Sequence, residues 1–436
     1  MDDRRPCEAL AMSRIRTAAR DRPSSPGSDV APPQLAIDVP ARLAEIDERK
    51  MHADRLARVR AQLVRLGYGA ALLSDPMNIR YATGTRNMQV WTMHSPGRYV
   101  FVPVDGPVVL FEFGTTRHVS DGFATIDEQR VSTSAFYFLA GPRLPEKVEL
   151  WARGVIELMR EHGGPEQRLA LDRCEPWHAK HLIEAGISLF DAQEALELAR
   201  MIKTPEELQC MRLSMDVADV AVQRMREAVQ PGMTENQLWA VLHETNIAHD
   251  GEWIEARLLS SGPRTNPWFN ECGNRVIEAG DLVAFDTDMV GPAGYLADIS
   301  RTFVCPGRRP TAEQQRLYEL AQSQVLTNVA LLQPGMTFAE FGATCWPVPD
   351  EFVANRYMMM VHGAGLVDEF PIVAYAADVA DWGYDGVFEE NMVVCLESYI
   401  GEVGGHEGVK LEEQVVIGAD GAVPVSNSPL VDALVV

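Results

Sequence analysis

Three aspartates set close together carry the first chemical signal in this sequence. In DLVAFDTDMVGPAGYLADISRTFV (281–304), Asp286 and Asp288 lie two residues apart, and Asp298 follows a Gly-Pro-Ala-Gly segment. The apolar alternation predicts a β-hairpin turning at that segment. Residues two apart on a strand project from one face, and the partner strand returns beside them. A lone strand Asp usually marks a solvated face. Here the flanks LVAF and YLA are apolar, strands disfavour Asp, and like charges converging on a half-buried face repel unless a cation neutralises them. The pattern predicts a metal site.

Later segments supply counterparts: His362 in MMVHG, Glu397 in VVCLESYIG and Glu412 in VKLEEQVVI, each on an apolar strand. A buried His alone is more often a hydrogen-bonded core residue than a ligand. Set opposite the aspartates, it completes an oxygen-rich group with one nitrogen, too large for a single tetrahedral zinc site. Carboxylates suit hard divalent ions, so one or two ions of Mn, Fe or Co are expected before structural zinc.

The elements that must position these residues form two expected domains behind an arm. Residues 1–45 contain RDRPSSPGSDVAPPQ and read as a flexible N-terminal arm. Residues 46–199 read as an α/β domain: an amphipathic helix ending at Gly67, a buried strand GAALLS, and a hairpin RYVFVPV/PVVLFEF turning at Asp105-Gly106. Helix 146–162, strand LALD and helix 176–185 complete it. Residues 200–436 open with Thr204-Pro205-Glu206-Glu207, which orders an N-cap, a first-position Pro and a capping-box Glu. The phrase Gln-Pro-Gly-Met-Thr occurs at 230–234 and again at 333–337, each time between helix patterns and ahead of a strand-rich stretch, 254–304 and 357–418. This predicts two duplicated α/β halves facing each other.

The whole chain narrows the function classes. Of 436 residues, 39 are Lys or Arg and 62 are Asp or Glu, a net charge of −23. Such a surface repels phosphate backbones and anionic lipids, which excludes nucleic acid and membrane as expected partners. At 46% hydrophobic and 23% charged residues the chain is globular. Seven cysteines without a C-x-x-C pair argue against a disulfide framework and for a reducing, cytoplasmic setting. The opening MDDRRPCEAL lacks the apolar core of a secretory signal.

The order Asp286, Asp298 in LADISRTF, His362 in MMVHGAGL, Glu397 in CLESY and Glu412 in KLEEQV resembles the pita-bread metallopeptidase superfamily, which includes Xaa-Pro aminopeptidases and creatinase. NIRYATG (78–84) and RMIKTPEEL (200–208) are similar to that superfamily's N-terminal domain and hinge. The resemblance implies a two-domain creatinase/aminopeptidase-like α/β architecture with a C-terminal pita-bread fold, a homodimer, and those five residues as metal ligands. Asp288 stands where the peptidases usually have a small residue and adds a sixth ligand. Two histidines that hold the scissile peptide in the peptidases are replaced here, by Trp268 in SSGPRTNPWF and by Asp368 in HGAGLVDEFP. Peptide hydrolysis thereby loses its proton donors and oxyanion partners.

These departures are similar to one subgroup, the P-type dimethylsulfoniopropionate lyases. The segments 251–273, 284–303, 362–375 and 401–415 resemble it closely, as does PPQLA (32–36), while Phe370 stands where the subgroup implies Trp. The resemblance implies a small sulfonium carboxylate substrate, α-proton abstraction by Asp368, and elimination of dimethyl sulfide to leave acrylate. It implies iron as the metal, with Mn, Co or Zn as alternatives. Trp268, Tyr357, Phe370, Trp382 and Tyr384 would line a pocket for the sulfonium, since an aromatic face attracts a desolvated cation by about 2 kcal/mol; core packing is the alternative for each. A metallopeptidase or creatinase-like hydrolase is the competing expectation, opposed by the loss of both histidines. A metal-free scaffold is opposed by the complete ligand set.

Overall fold

The computed structural model describes residues 36–430 and 434. Most of the expected arm, with nearly all of PPQLA, lies outside the described residues. The last part of residues 1–45 departs from a flexible arm. Asp38 accepts a hydrogen bond from Ala41 N and caps a helix over Val39–Leu43. Val39 is buried in a core shared with Leu213, Val217 and Val425. Burying a side chain of this size contributes about 1.5–3 kcal/mol, which holds a helix too short to persist alone.

The N-terminal sheet has six strands in the spatial order Glu128–Val131, Val109–Glu112, Tyr99–Pro103, Ala70–Leu73, Arg168–Leu171, Ser188–Asp191. Ala70–Leu73 pairs antiparallel with Tyr99–Pro103 and parallel with Arg168–Leu171. Its alternate residues feed two cores: Ala71 and Leu73 join Met51, Val59 and Leu63 of helix Glu48–Leu66, whereas Ala70 and Leu72 join Val148, Val155 and Met159 of helix Leu144–His162. A strand covered on both faces reads as an unbroken apolar run, which is why AALL gives no alternation.

In the C-terminal part capping boxes form at Thr204, as expected, and also at Thr234, Thr311 and Thr337. The two Gln-Pro-Gly-Met-Thr turns have the same geometry. Gly232 and Gly335 take positive φ, 97° and 86°. Gly232 N donates to Ile277 O and Ile277 N to Met233 O, while Gly335 N donates to Phe388 O and Phe388 N to Met336 O. Each turn thus launches a helix while pinning its edge to a segment that leads into the half's sheet.

The expected hairpin over 281–304 is the main correction. Leu282–Asp286 pairs with Ser300–Val304, as Asp286 opposite Ser300 requires. The chain then breaks direction: Asp288 adopts φ 37°, and Met289–Val290 pairs with Leu296–Ala297 and with Trp253–Ile254 in a separate small sheet. Thr287 fastens the kink, donating to Ala297 O and accepting from Ile299 N. Asp286 and Asp288 therefore do not share a face through simple alternation. A third sheet carries the strands Asp368–Val373, Val361–Ala364, Val393–Ile400, Val409–Gly418 and Gly421–Pro424, in that order.

One apolar core runs from Ile46 and Tyr81 through Met211 to Tyr295, Ala364 and Cys395. Buried ion pairs cross the same boundary. Arg55 meets Glu207 and the Tyr295 hydroxyl, and Lys203 and Arg200 both meet Glu369, at 2.7 and 3.2 Å.

Candidate metal centre

Register brings the second half's expected ligands together. Glu397 lies directly opposite Glu412, and His362 directly opposite Cys395. The His362 Nε2 atom is 3.3 Å from Glu412 Oε1, 3.4 Å from Glu397 Oε1 and 3.7 Å from Asp298 Oδ2. Three groups of ligand atoms lie within 4.8 Å of one another: Asp298, His362, Cys395 and Glu412; Asp286, Glu397 and Glu412; Asp286, Asp288 and Asp298. All six expected ligands fall in these overlapping groups.

The donor set fits divalent ions. Asp286 Oδ1, Asp288 Oδ2 and Glu412 Oε1 are buried and have no hydrogen-bond partner among the described residues. Orphaned carboxylate oxygens are costly unless a cation takes them. Charge crowding shows in the acidities. Burial, then Glu412, pushes the Asp286 carboxyl up to about 7 against the pull of Lys410. Burial and neighbouring carboxylates also raise Asp288, Asp298 and, despite Lys410, Glu397. Burial works against charge on Glu412 as well, but Lys410 and His362 outweigh it and hold that carboxyl below its ordinary range.

Lys410 is the residue that sequence reasoning missed. Its fully buried ammonium donates to Ser300 Oγ at 2.5 Å and Glu397 Oε2 at 2.6 Å, and lies 3.1 Å from Asp286 Oδ2 and 3.3 Å from Glu412 Oε2. The available signal was its place two residues before Glu412 in an apolar strand, which puts both side chains on one face. Cys395 carries the same signal relative to Glu397.

Asp368 stands apart from the expected ligands. Its Oδ1 is 3.4 Å from His362 Nδ1, yet its side chain is 62% exposed where those of Glu397 and Glu412 are 1% and 0%. The neighbouring Glu369 is anchored by Lys203 and accepts from Leu366 N at 2.9 Å, and Phe370 N donates to Glu197.

The five aromatics fall into two groups. Trp268 and Tyr357 pack beside Tyr399 and Ala284, and the Lys410 ammonium sits 5.8 and 4.8 Å from their ring centres. The cation these two rings face in the structure is therefore the protein's own. Phe370 and Tyr384 stack at 5.5 Å and 14°, with Tyr384 41% exposed, and Trp382 closes the short helix Val379–Trp382.

The sequence model of metallopeptidase family M24 matches residues 209–419, and that of the creatinase/prolidase N-terminal domain matches residues 55–202. The chain is 38% identical over 413 residues to the dimethylsulfoniopropionate lyase DddP of Roseovarius nubinhibens, covering 93% of each. To the dimethylsulfoniopropionate lyase DddP of Roseobacter denitrificans it is 37% identical, covering 93% of this chain and 92% of the other. The prolidase from Pyrococcus horikoshii OT3 superposes with a TM-score of 0.69 at 20% identity, over 86% of this chain and 98% of that one. An Xaa-Pro dipeptidase from Bacillus anthracis superposes with a TM-score of 0.70 at 20% identity, over 88% and 100%. These structures share the two-domain prolidase-like fold.

Proposed function

The chain belongs to the DddP family within the pita-bread metallopeptidase superfamily, and from that premise we propose that it is a metal-dependent lyase cleaving dimethylsulfoniopropionate to acrylate and dimethyl sulfide. Residues 46–199 act as the N-terminal domain and residues 200–436 as the catalytic one. Asp286, Asp288, Asp298, His362, Glu397 and Glu412 hold the metal. When bound, divalent ions draw charge from the substrate carboxylate and stabilise the negative charge that develops at its α-carbon.

Asp368 is the base in this reading. The observation that carries the assignment is its position: beside His362, at the rim of the ligand cluster, and open to solvent while the ligand carboxylates are enclosed. It removes the α-proton, the electron pair forms the carbon–carbon double bond, and the carbon–sulfur bond breaks to release neutral dimethyl sulfide. Phe370, two residues from Asp368 on the same strand, and Tyr384 stacked on it offer aromatic faces for the sulfonium in this reading, with Trp382 two residues before Tyr384, and Trp268 and Tyr357 beside Lys410 form the deeper wall.

Charge counting supports two ions. Five ligand carboxylates and the Lys410 ammonium leave a net charge of about minus four, which two divalent ions match. Iron is the metal of this proposal, with Mn, Co and Zn as the alternatives that metal analysis separates. The setting is cytoplasmic: the described cysteines are free, and no described helix is long and apolar enough to cross a membrane. The assembly is a homodimer in this reading, supported by the short helix Tyr137–Ala140, where Tyr137 and Phe138 are 68% and 75% exposed.

The test is direct. Metal-loaded protein is incubated with dimethylsulfoniopropionate and dimethyl sulfide is read by gas chromatography, beside Asp368→Ala and a proline-containing dipeptide. Sulfide release by the parent alone is expected. Dipeptide cleavage without sulfide overturns the lyase, and full activity in Asp368→Ala overturns the base.

A further inference from the structure

We propose that Cys395 is a sulfur ligand to the metal ion on the His362 side of the centre, so that the two ions occupy chemically unequal sites. The inference rests on the metal-binding reading above and adds to it a ligand of a different class.

The register places Cys395 in the ligand row. Cys395 and Glu397 lie two apart on the strand Val393–Ile400 and face the same way. Directly across from Cys395 are His362 on one side and Gln414 on the other. Its Sγ lies with ligand atoms of Asp298, His362 and Glu412, all within 4.8 Å of one another. Bonds of about 2.3 Å to sulfur and about 2.0–2.2 Å to nitrogen or oxygen allow opposite ligands about 4.5 Å apart, so one ion reaches the four atoms with shifts of a few tenths of an ångström.

Two further observations point into the same space. Glu412 Oε1 is buried with no hydrogen-bond partner, on the side facing His362. The thiol donates a long hydrogen bond, 3.7 Å, to the backbone oxygen of Asp298, itself a proposed ligand residue. Cys395 sits where the apolar cluster containing Ala364 and Val393 meets the row of polar side chains. Along this face its neighbours are His362, Glu397, Glu412 and Gln414.

The other two ligand groups contain oxygen alone: Asp286, Glu397 and Glu412, and Asp286, Asp288 and Asp298. Sulfur binds borderline metals such as Fe, Co and Zn in preference to Mg or Mn, whereas the all-oxygen groups discriminate less. On coordination a metal–sulfur bond forms, the S–H proton leaves to solvent, and no electrons are exchanged.

Cobalt(II) reports the ligand without catalysis. The full-length protein is stripped with chelator and titrated anaerobically with cobalt(II), with bound metal counted by equilibrium dialysis and the near-ultraviolet spectrum recorded. A sulfur-to-cobalt charge-transfer band is expected in the parent and is expected to vanish in Cys395→Ser and Cys395→Ala. Cobalt retained by the parent without the band, or a band that survives both substitutions, overturns the sulfur ligand and leaves the metal centre standing. Failure to retain any cobalt overturns both readings together. Loss of cobalt in Cys395→Ala with retention and no band in Cys395→Ser supports the inference, because serine preserves the volume while replacing the sulfur.

Discussion

Asp368 is exposed beside His362 and Lys410 is buried among Asp286, Glu397 and Glu412, and their substitutions separate chemistry from stability. Asp368→Asn keeps the volume and removes the proposed base, so kcat is expected to fall by about 10²–10⁴ while bound metal and the urea midpoint hold. Lys410→Met removes the buried cation shared by Asp286, Glu397 and Glu412. Breaking such an arrangement costs about 3–5 kcal/mol, and urea unfolding of the metal-free variant should show a loss of that order. The carboxylates were legible from sequence because Asp and Glu are conspicuous in apolar strands. Lys410 and Cys395 were not. A Lys reads as a solvated strand end and a buried Cys as a small apolar residue, and only the pairing partner across the sheet changes either reading.

The elements were legible where the code is local. Capping residues, the proline at the start of the helix Pro205–Ala228 and the paired turns all act within a few residues, and the structure has them where their chemistry puts them. The 281–304 hairpin was misread because its kink is set by Thr287 bonding across to Ala297 and Ile299, contacts that no alternation pattern records. Helix Glu48–Leu66 carries a pH dependence of its own. His52 lies 5.7 Å from the Phe123 ring and close against Gly84, and burial, then Arg55 and Arg80, depress its pKa from 6.5 to about 4. The unfolded chain therefore holds the proton in that interval. The contribution to stability is complete above about pH 6.5 and is lost as pH falls toward 4. His52→Gln should flatten the slope of stability against pH there by up to about one proton, measured by urea unfolding at a series of pH values.

For the molecule as a whole, the duplication was visible in the repeated Gln-Pro-Gly-Met-Thr phrase, whereas the shared core was not. Side chains from residues 46–211 and 290–395 meet in one apolar cluster, and long-range packing of that kind leaves no local pattern. The ion pairs with Glu369 of Arg200, at the end of the first family match, and of Lys203, just beyond it, tie this stretch to the strand that begins at Asp368. Metal removal should be felt throughout such a body. Ions bound only by the folded state stabilise it by about 2.7 kcal/mol at a hundredfold excess over Kd, so chelation should lower the melting temperature and re-addition restore it. Exposure of Asp368 has its own outcome for turnover. If Asp368 is the base proposed above, its contact with bulk water leaves no memory of the hydrogen it takes: each one is traded into the solvent pool between cycles, and the enzyme resets by diffusion without a relay of groups leading out of its interior.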